Sequence, residues 1–231
     1  MLMNNGLIDV SRLRAFARRT INRFKRQPQF FLKKVNGVIH VGGNLGQERD
    51  LYAAHDLNVL WIEPIPGVFS KLAEHIADNP RQRALCQLIT DVDNKEYTFH
   101  ISDNEGQSSS ILDFAGHKEI WPEVSFVKNI TLKSMTLSSL LKRERIDLSK
   151  YDALVIDTQG SELLVLKGAV DLLPRFRFIQ TEAANFASYQ HGCQLSDLDD
   201  FLRQHGFHRA AINRFTPRAA VGAYFDVTYA K

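Results

Sequence analysis

The sequence feature that most constrains the fold is an apolar strand pattern that ends at paired glycines. The β-branched run from Val38 to Val41 stops at Gly42 and Gly43, and a turn that ends at Gly46 leads into a helical pattern. This arrangement predicts a buried strand, a tight turn and a helix. Glycine has no Cβ, so such a turn can approach a ligand closely, and the amides at the helix start can point at an anionic or polar group. A lone glycine-rich turn is also typical of any strand-to-helix connection in an α/β protein.

A second apolar run, Val59 to Ile62, ends at Glu63 and is followed by Pro64. In nucleoside-binding α/β folds, an acid at the tip of the second strand accepts hydrogen bonds from both ribose hydroxyls. Two hydroxyl donors need an acceptor with two oxygens, which explains a carboxylate at this position rather than an amide. We therefore predict that Glu63 binds a ribose, the alternative being a solvated acid at a strand end.

The turn also narrows the class of cofactor. The nicotinamide dinucleotide fingerprint, counted from Gly42, requires glycine at position 44 and glycine or alanine at position 47, where this chain has Asn44 and Gln47. No glycine-rich loop ends in lysine followed by serine or threonine, so a nucleoside triphosphate site is not indicated. S-adenosylmethionine has a ribose and an amino-acid tail but no pyrophosphate, and it is the cofactor that this pattern favours.

Composition indicates an ordinary soluble domain of single-core size, with 231 residues of which 44% are hydrophobic and 24% are charged. No apolar stretch approaches the about 20 residues of a membrane span, and no cleavable signal pattern opens the chain. Cys86 and Cys193 form no metal-binding spacing. Isolated thiols are typical of a reducing compartment, so we expect the protein in the cytoplasm.

The N-terminal part of the chain is strongly basic. Residues 1–36 contain nine Lys/Arg and the single acid Asp9, whereas the whole chain has a net charge of only +3. Apolar residues recur there at helical spacing: Val10, Leu13, Ala17, Ile21 and Phe24. This pattern predicts a basic amphipathic helix and a linker within residues 1–36.

Three roles for this helix stay open. Residues 8–26 could attach peripherally to anionic lipid at the inner face of the membrane, cover the cofactor cleft or a partner subunit, or dock on the domain with a solvated basic face. Basic residues do not recur elsewhere with exposed aromatic residues, so nucleic-acid binding is not predicted. No sequence feature indicates an oligomeric state.

Strand and helix patterns alternate from Val38 onward and predict a three-layer α/β sandwich, with ligands at the carboxyl ends of the strands. Strands are predicted at 38–41, 59–63, 85–89, 153–157, 176–182, 207–212 and 223–229, and helices at 47–55, 68–76, 137–145, 160–173 and after a cap at Ser196. Half-exposed strands at 97–101 and 130–132 enclose a polar, glycine-punctuated insertion over about 97–132. An insertion of this length is typical of a functional segment.

Several motifs together resemble the FkbM-type family of S-adenosylmethionine-dependent methyltransferases, from about Gly37 to Phe207. His-Val-Gly-Gly-Asn-Leu-Gly at 40–46 stands where that family shows Asp-Val-Gly-Ala-Asn-x-Gly, and Glu-Pro-Ile-Pro at 63–66 is similar to its Glu-Pro-x-Pro element. Ser108 to Ser110 resembles its serine-rich insertion, and the stretch 130–141 resembles the segment before its fourth strand. Leu-Val-Ile-Asp-Thr-Gln-Gly-Ser-Glu at 154–162 is similar to its Lys-Ile-Asp-x-Glu-Gly-x-Glu motif.

The resemblance implies a Rossmann-like class I fold with a mostly parallel seven-stranded sheet whose last strand is antiparallel, in a domain at 37–231. It also implies O-methylation of a sugar hydroxyl in a polysaccharide, glycolipid or secondary metabolite. His40 replaces the acid that helps to hold the cofactor's ammonium group, and this contact is expected to move to Glu48. Gln159 replaces a frequent glutamate and Leu154 a frequent lysine.

The residues expected to bind the cofactor lie in the glycine turn, at the tips of the second and third strands and in the insertion. They are His40, Gly42, Gly43, Asn44, Gly46, Glu48, Glu63, Pro64, Asp91 and Ser109. Asp91 is expected at the adenine amino group. Ser109 is expected to hydrogen-bond the cofactor or the acceptor, the alternative being a serine-rich turn.

Methyl transfer to oxygen requires the acceptor atom about 3 Å from the methyl carbon, and a sugar hydroxyl needs help to lose its proton. We predict that Asp157 and Glu182, at neighbouring strand tips, and His117 in the insertion act in catalysis. Asp157 could instead cap the helix near Ser161, and His117 could be a surface loop residue. The two carboxylates could also bind a divalent cation, but this alternative is not favoured, because two acids on neighbouring strands are no metal signature.

A non-catalytic alternative also remains at this point. The chain could be a cofactor-binding scaffold that its basic N-terminal helix recruits to a membrane-bound biosynthetic assembly. Such a protein would bind S-adenosylmethionine without producing S-adenosylhomocysteine.

Overall fold

The computed structural model describes residues 29–217 and 219–231. The predicted basic helix within residues 8–26 lies outside the described residues. In the part of the chain that is described, no helix has both the length and the apolar character that crossing a membrane requires.

Within the described residues, ten strands form a seven-stranded sheet and a smaller three-stranded sheet. They are β1 Gly37–Val41, β2 Asn58–Glu63, β3 Gln82–Cys86, β4 Leu88–Ile89, β5 Glu96–Ser102, β6 Phe126–Met135, β7 Ala153–Ile156, β8 Phe178–Ala184, β9 His208–Arg214 and β10 Tyr224–Ala230. The large sheet has the order β3-β2-β1-β7-β8-β10-β9. Its first five strands are parallel, and β10 runs antiparallel to both β8 and β9. The expected mostly parallel sheet with an antiparallel last strand is confirmed.

Helices cover both faces of this sheet. They are α1 Arg49–Ala54, α2 Pro66–His75, α3 His117–Ile120, α4 Leu137–Arg143, α5 Glu162–Lys167 and α6 Leu195–Gln204. On one face, α4, α5 and α6 bury Leu140, Leu166 and Leu198 in the larger core. On the other face, α1 and α2 pack Tyr52 and Leu72 in a second core. The predicted three layers are confirmed, and β1 and β7 read as continuous apolar runs because both of their faces are buried.

The chain immediately before β1 packs on the second core. Gln29–Lys34 form a 3-10 helix that buries Phe31 and Leu32. The ring of Phe31 lies 5.7 Å from the ring of Phe178 on β8. The predicted domain boundary between residues 36 and 37 stays a prediction, but residues just before it contribute to the core.

The insertion forms a ribbon at the edge of the cleft. β5 and β6 pair antiparallel, and β4 pairs parallel with β6. One side of the ribbon packs Phe99 against Ile65 and Leu88. The two predicted half-exposed strands at 97–101 and 130–132 are confirmed as parts of β5 and β6.

Three predicted elements differ from the structure. The third strand was expected at 85–89, but β3 ends at Cys86, and Leu88–Ile89 join the second sheet. The helix expected at 160–173 spans only Glu162–Lys167 and ends at the C-cap Gly168, whose Cα lies so close to the Thr90 carbonyl that a Cβ would clash with it. The helix α6 begins after Gln194 rather than at a Ser196 cap, and the Gln194 N–H donates to Asp197 Oδ2 at 2.8 Å.

Candidate active site

The carboxyl ends of β1, β2, β7 and β8 surround a cleft of about 550 Å³. This is the crevice where a sheet of this topology is expected to bind ligands, because β1 lies between strands whose connections leave in opposite directions. Predicted site residues that line the cleft are His40, Gly42, Gly43, Asn44, Glu48, Glu63, Pro64, Ser109, His117, Asp157 and Glu182.

The glycine turn after β1 is fixed by close backbone contacts. Gly42 has a φ of +86°, and a Cβ built on it would lie 1.8 Å from the carbonyl oxygen of Asp157. The N–H groups of Gly42 and Gly43 both donate to the Ile62 carbonyl, at 2.9 and 3.1 Å. The turn therefore lies directly against the ends of β2 and β7, and only glycine fits at position 42.

Glu63 lies at the floor of the cleft, with 3% of its surface exposed. Its Oε2 accepts the N–H of Asn44 and its Oε1 accepts the N–H of Ile65, each at 2.9 Å. The pKa of this carboxyl is raised to about 7, chiefly by burial and less by the charge of Asp157, with the two amide donors opposing the rise. Each oxygen has a second lone pair for a hydroxyl donor, so the geometry fits a ribose, and the ribose contact stays a prediction.

His40 is held as a buried ring in the wall of the cleft. It stacks on Trp61 with ring centroids 4.8 Å apart, and its Nδ1 lies 3.2 Å from the Tyr52 hydroxyl. Burial raises the pKa of Tyr52 well above its ordinary value, and the charge of Glu48 adds to the effect. His40 and Glu48 both line the cleft, and the expected move of the ammonium contact to Glu48 stays a prediction.

Asp157 and Glu182, which we call the acid pair, both line the cleft and are linked by Gln159. The Gln159 Nε2 donates to Asp157 Oδ1 at 2.7 Å and to Glu182 Oε1 at 3.5 Å. Glu182 lies two residues before the end of β8 rather than at its tip. Among residues 29–217 and 219–231, no group of three or more His, Cys, Asp or Glu side chains could hold a metal ion.

Glu162, rather than Asp157, holds the loop before α5. Its Oε1 accepts the N–H of Thr158 at 2.9 Å, and its carboxylate accepts the N–H of Gly160 at 3.0 Å. Burial raises the pKa of Glu162. The last glutamate of the 154–162 motif therefore shapes the loop, and Asp157 points its carboxylate to Gln159.

His117 is buried in α3 rather than exposed on a loop, with 1% of its surface accessible. Its ring stacks on Phe114 at 4.4 Å. The pKa of His117 is lowered to about 4, chiefly by burial and less by the charge of Lys118, so the ring is neutral at pH 7. A neutral ring of such low basicity is better suited to accept a hydrogen bond from an acceptor than to remove its proton.

Residues 40–209 match the family model of the methyltransferase FkbM domain. The chain belongs to the FkbM methyltransferase family. It is therefore an S-adenosylmethionine-dependent methyltransferase, and the family assignment made from the sequence motifs is confirmed.

This FkbM-family methyltransferase is also similar to individual proteins, and the two solved structures among them show that the fold is shared. It is 28% identical to the 2-O-methyltransferase NoeI of Sinorhizobium fredii over 205 aligned residues, and the aligned region covers 83% of each chain. The magnesium protoporphyrin IX methyltransferase ChlM of Synechocystis with bound S-adenosylmethionine shares the fold, with a TM-score of 0.54 and 12% identity over 99% of this chain and 86% of that one. The N-methyltransferase NodS of Bradyrhizobium japonicum has a TM-score of 0.52 and 7% identity, over 91% of this chain and 96% of that one.

Two predicted cofactor residues of the FkbM-family site do not line the cleft. Asp91 is exposed and lies beyond β4, because β3 ends five residues earlier and the chain turns into the second sheet. Gln87, the first residue after β3, lines the cleft instead. Gly46, with a φ of +72°, packs against Leu72 of α2 and shapes the turn from outside the cleft.

The insertion is tied to the glycine turn. The Asn44 Nδ2 donates to the Glu105 carbonyl at 3.0 Å. Ser109 is buried, and its Oγ accepts the N–H of Ser102 at 3.0 Å. Ser109 therefore stabilises the fold of the insertion, as the alternative of a serine-rich turn expected, and it also lines the cleft.

The pH dependence of stability tests the environment of Glu63. Because its folded-state pKa of about 7 exceeds the usual 4.5, the carboxyl favours folding below pH 4.5, and this contribution is lost as the pH rises through 7. The shift corresponds to about 3 kcal/mol. Glu63→Gln has no carboxyl to titrate and is therefore the reference. The free energy of unfolding of the ligand-free wild type, minus that of Glu63→Gln, should fall by about 3 kcal/mol between pH 4.5 and 7. Denaturant unfolding at several pH values measures it, and a constant difference would contradict the buried carboxyl.

Cofactor affinity tests the predicted roles of Glu63 and Asp91. Glu63→Gln replaces an acceptor oxygen with a donor, so we expect S-adenosylhomocysteine to bind about 10- to 100-fold more weakly at pH 8. Asp91→Asn, a matched change outside the cleft, should leave the affinity unchanged. Titration calorimetry measures both, and equal affinities for wild type and Glu63→Gln would exclude a ribose contact.

Proposed function

We propose that this enzyme transfers the methyl group of S-adenosylmethionine to a hydroxyl of a sugar-containing acceptor, as found in polysaccharides, glycolipids or secondary metabolites. The observation that carries the proposal is that one cleft contains both the glycine turn with Glu63 and the acid pair Asp157 and Glu182. Similarity to a protein described as a 2-O-methyltransferase supports oxygen as the methylated atom.

The residues around the glycine turn fit the proposed cofactor. The Glu63 carboxylate keeps acceptor capacity for two ribose hydroxyls beside its bonds to Asn44 and Ile65. Because no side chain can occupy position 42, the backbone there can lie against a ligand. Glu48 offers a carboxylate to an ammonium group, and Gln87, unlike Asp91, lines the cleft.

The acid pair supports proton removal from the acceptor. When bound, S-adenosylmethionine supplies an activated methyl group, and its carbon–sulfur bond breaks as the new carbon–oxygen bond forms. Asp157 accepts the hydroxyl proton in this proposal, and Glu182 helps to orient the hydroxyl. His117 is neutral and accepts a hydrogen bond from the acceptor, because the low pKa of its ring makes it a weak base.

Deletion and complementation test the acceptor class. Glycans and glycolipids of cells that lack the protein should lose the mass of one methylene group for each missing methyl group. Wild type should restore it, whereas Asp157→Asn should not, although this variant binds S-adenosylhomocysteine within about 3-fold of wild type. Asp152→Asn, an acid that binds the backbone amide of Asn36 at the opposite end of β7, is the matched control. Unchanged sugar mass spectra on deletion would contradict the sugar acceptor, and full restoration by Asp157→Asn would contradict its role as base.

We also propose that residues 8–26 contact anionic lipid at the inner face of the membrane. The nine Lys/Arg and one acid of residues 1–36 support this proposal. Full-length protein should sediment with vesicles of phosphatidylcholine and phosphatidylserine but not with phosphatidylcholine alone. Replacing Arg12, Arg14, Arg18 and Arg19 by glutamine should release it. Equal sedimentation of this variant and wild type would contradict the proposal.

A further inference from the structure

Gln159 lies between the two carboxylates of the acid pair. Its Nε2 donates to Asp157 Oδ1 at 2.7 Å and to Glu182 Oε1 at 3.5 Å. Asp157 directly follows β7, and Glu182 lies within the neighbouring strand β8, two residues before its end. Carboxylate oxygens are the preferred ligands of hard divalent cations. The side-chain amide thus occupies the place between two carboxylates that such a cation would otherwise take.

The orientation of this amide is determined by Tyr189. The Tyr189 hydroxyl donates to Gln159 Oε1 at 2.8 Å. Burial raises the pKa of Tyr189 well above its ordinary value, and the charges of nearby acids add to the effect, so the phenol keeps its proton. Because Oε1 accepts this proton, the Nε2 donors must face the acid pair.

The backbone of Gln159 is also held in place. Its φ is +55°, a left-handed conformation that side-chain-bearing residues seldom adopt. The Ser110 Oγ donates to its carbonyl oxygen at 2.8 Å, and Glu162 binds the N–H groups of residues 158 and 160 on either side. Such conformations persist where the surroundings determine them fully, and they concentrate at functional sites.

We propose that Gln159 is a positioning residue that replaces a cation between Asp157 and Glu182. Two carboxylates that approach each other favour a shared proton or a bound cation. The Gln159 amide instead gives one N–H to each carboxylate and so holds both oriented towards the acceptor without a divalent metal. The catalytic meaning of the acid pair rests on the proposed function, but the replacement of a cation can be tested without any acceptor.

The isosteric substitution Gln159→Glu should convert the site into one that binds a divalent cation. In Gln159→Glu, one carboxylate oxygen can still accept the Tyr189 hydroxyl, while the other faces Asp157 and Glu182 with no proton to donate. Three carboxylates then converge, and we expect them to bind Mn²⁺ through oxygen ligands. Gln204→Glu adds the same charge on the exposed end of α6 and is the matched control.

Electron paramagnetic resonance of Mn²⁺ titrated into the full-length protein, with S-adenosylhomocysteine present, measures this site. We expect wild type and Gln204→Glu to show no site with a Kd below about 1 mM, and Gln159→Glu to gain one site bound at least about 10-fold more tightly. Adding Asp157→Asn to Gln159→Glu should remove the gained site. A merely structural role of Gln159 would lower stability in the variant without creating Mn²⁺ binding.

Three results would overturn the proposal. One is Mn²⁺ binding by wild type that Asp157→Asn abolishes. Another is a folded Gln159→Glu that gains no site. The third concerns a Gln159→Glu variant that is unfolded without metal. Recovery of its thermal transition with Mn²⁺ but not with Na⁺ would support the proposal, and no recovery with Mn²⁺ would contradict it. Because no acceptor is added, failure to find a sugar substrate leaves these measurements unaffected.

Discussion

The packing of Gly42 against the carbonyl of Asp157 is the constraint on which the rest of the site depends. A Cβ at position 42 would lie 1.8 Å from that oxygen, so the ends of β1 and β7 can meet in this way only through glycine. The same turn donates two N–H groups to Ile62, which ties the end of β2 to it. Side chains that follow these strand ends, Glu63 and Asp157, are therefore held in one corner, close enough for the charge of Asp157 to raise the pKa of Glu63.

The acids gathered in this corner are stabilised by N–H donors. Glu63 accepts two backbone amides, Glu162 accepts the amides of the loop before α5, and Asp157 accepts the Gln159 side chain. Burial favours the protonated form of Glu63 and Glu162, whereas these donors favour the charged form. Of the residues that the structure describes, those that line the cleft include several carboxylates and no lysine or arginine, and such a lining suits a positively charged sulfonium.

Much of the fold could be predicted from the sequence, because strands buried on both faces, such as β1 and β7, leave continuous apolar runs. The third strand could not, because the run from Leu85 to Ile89 contains two strands of different sheets. At their junction, the Gln87 side chain donates to the Lys133 carbonyl, 46 positions away, and no local pattern reports such a partner. Asp91 was expected at the cleft because the third strand was expected to end at Ile89, whereas β3 ends at Cys86.

In the candidate site too, some residues could be predicted from the local sequence, whereas others depend on contacts that are distant in the sequence. Residues at strand ends, such as Glu63 and Asp157, could be predicted because position on the strand determines where they lie. Gln159 could not be recognised as a bridge, because its geometry depends on Ser110 and Tyr189, which are 49 and 30 positions away. One of these partners comes from the insertion and the other from the segment after β8. The insertion therefore does more than line the cleft: through Ser110 it holds, together with Tyr189, the Gln159 amide that donates to both acids of the pair.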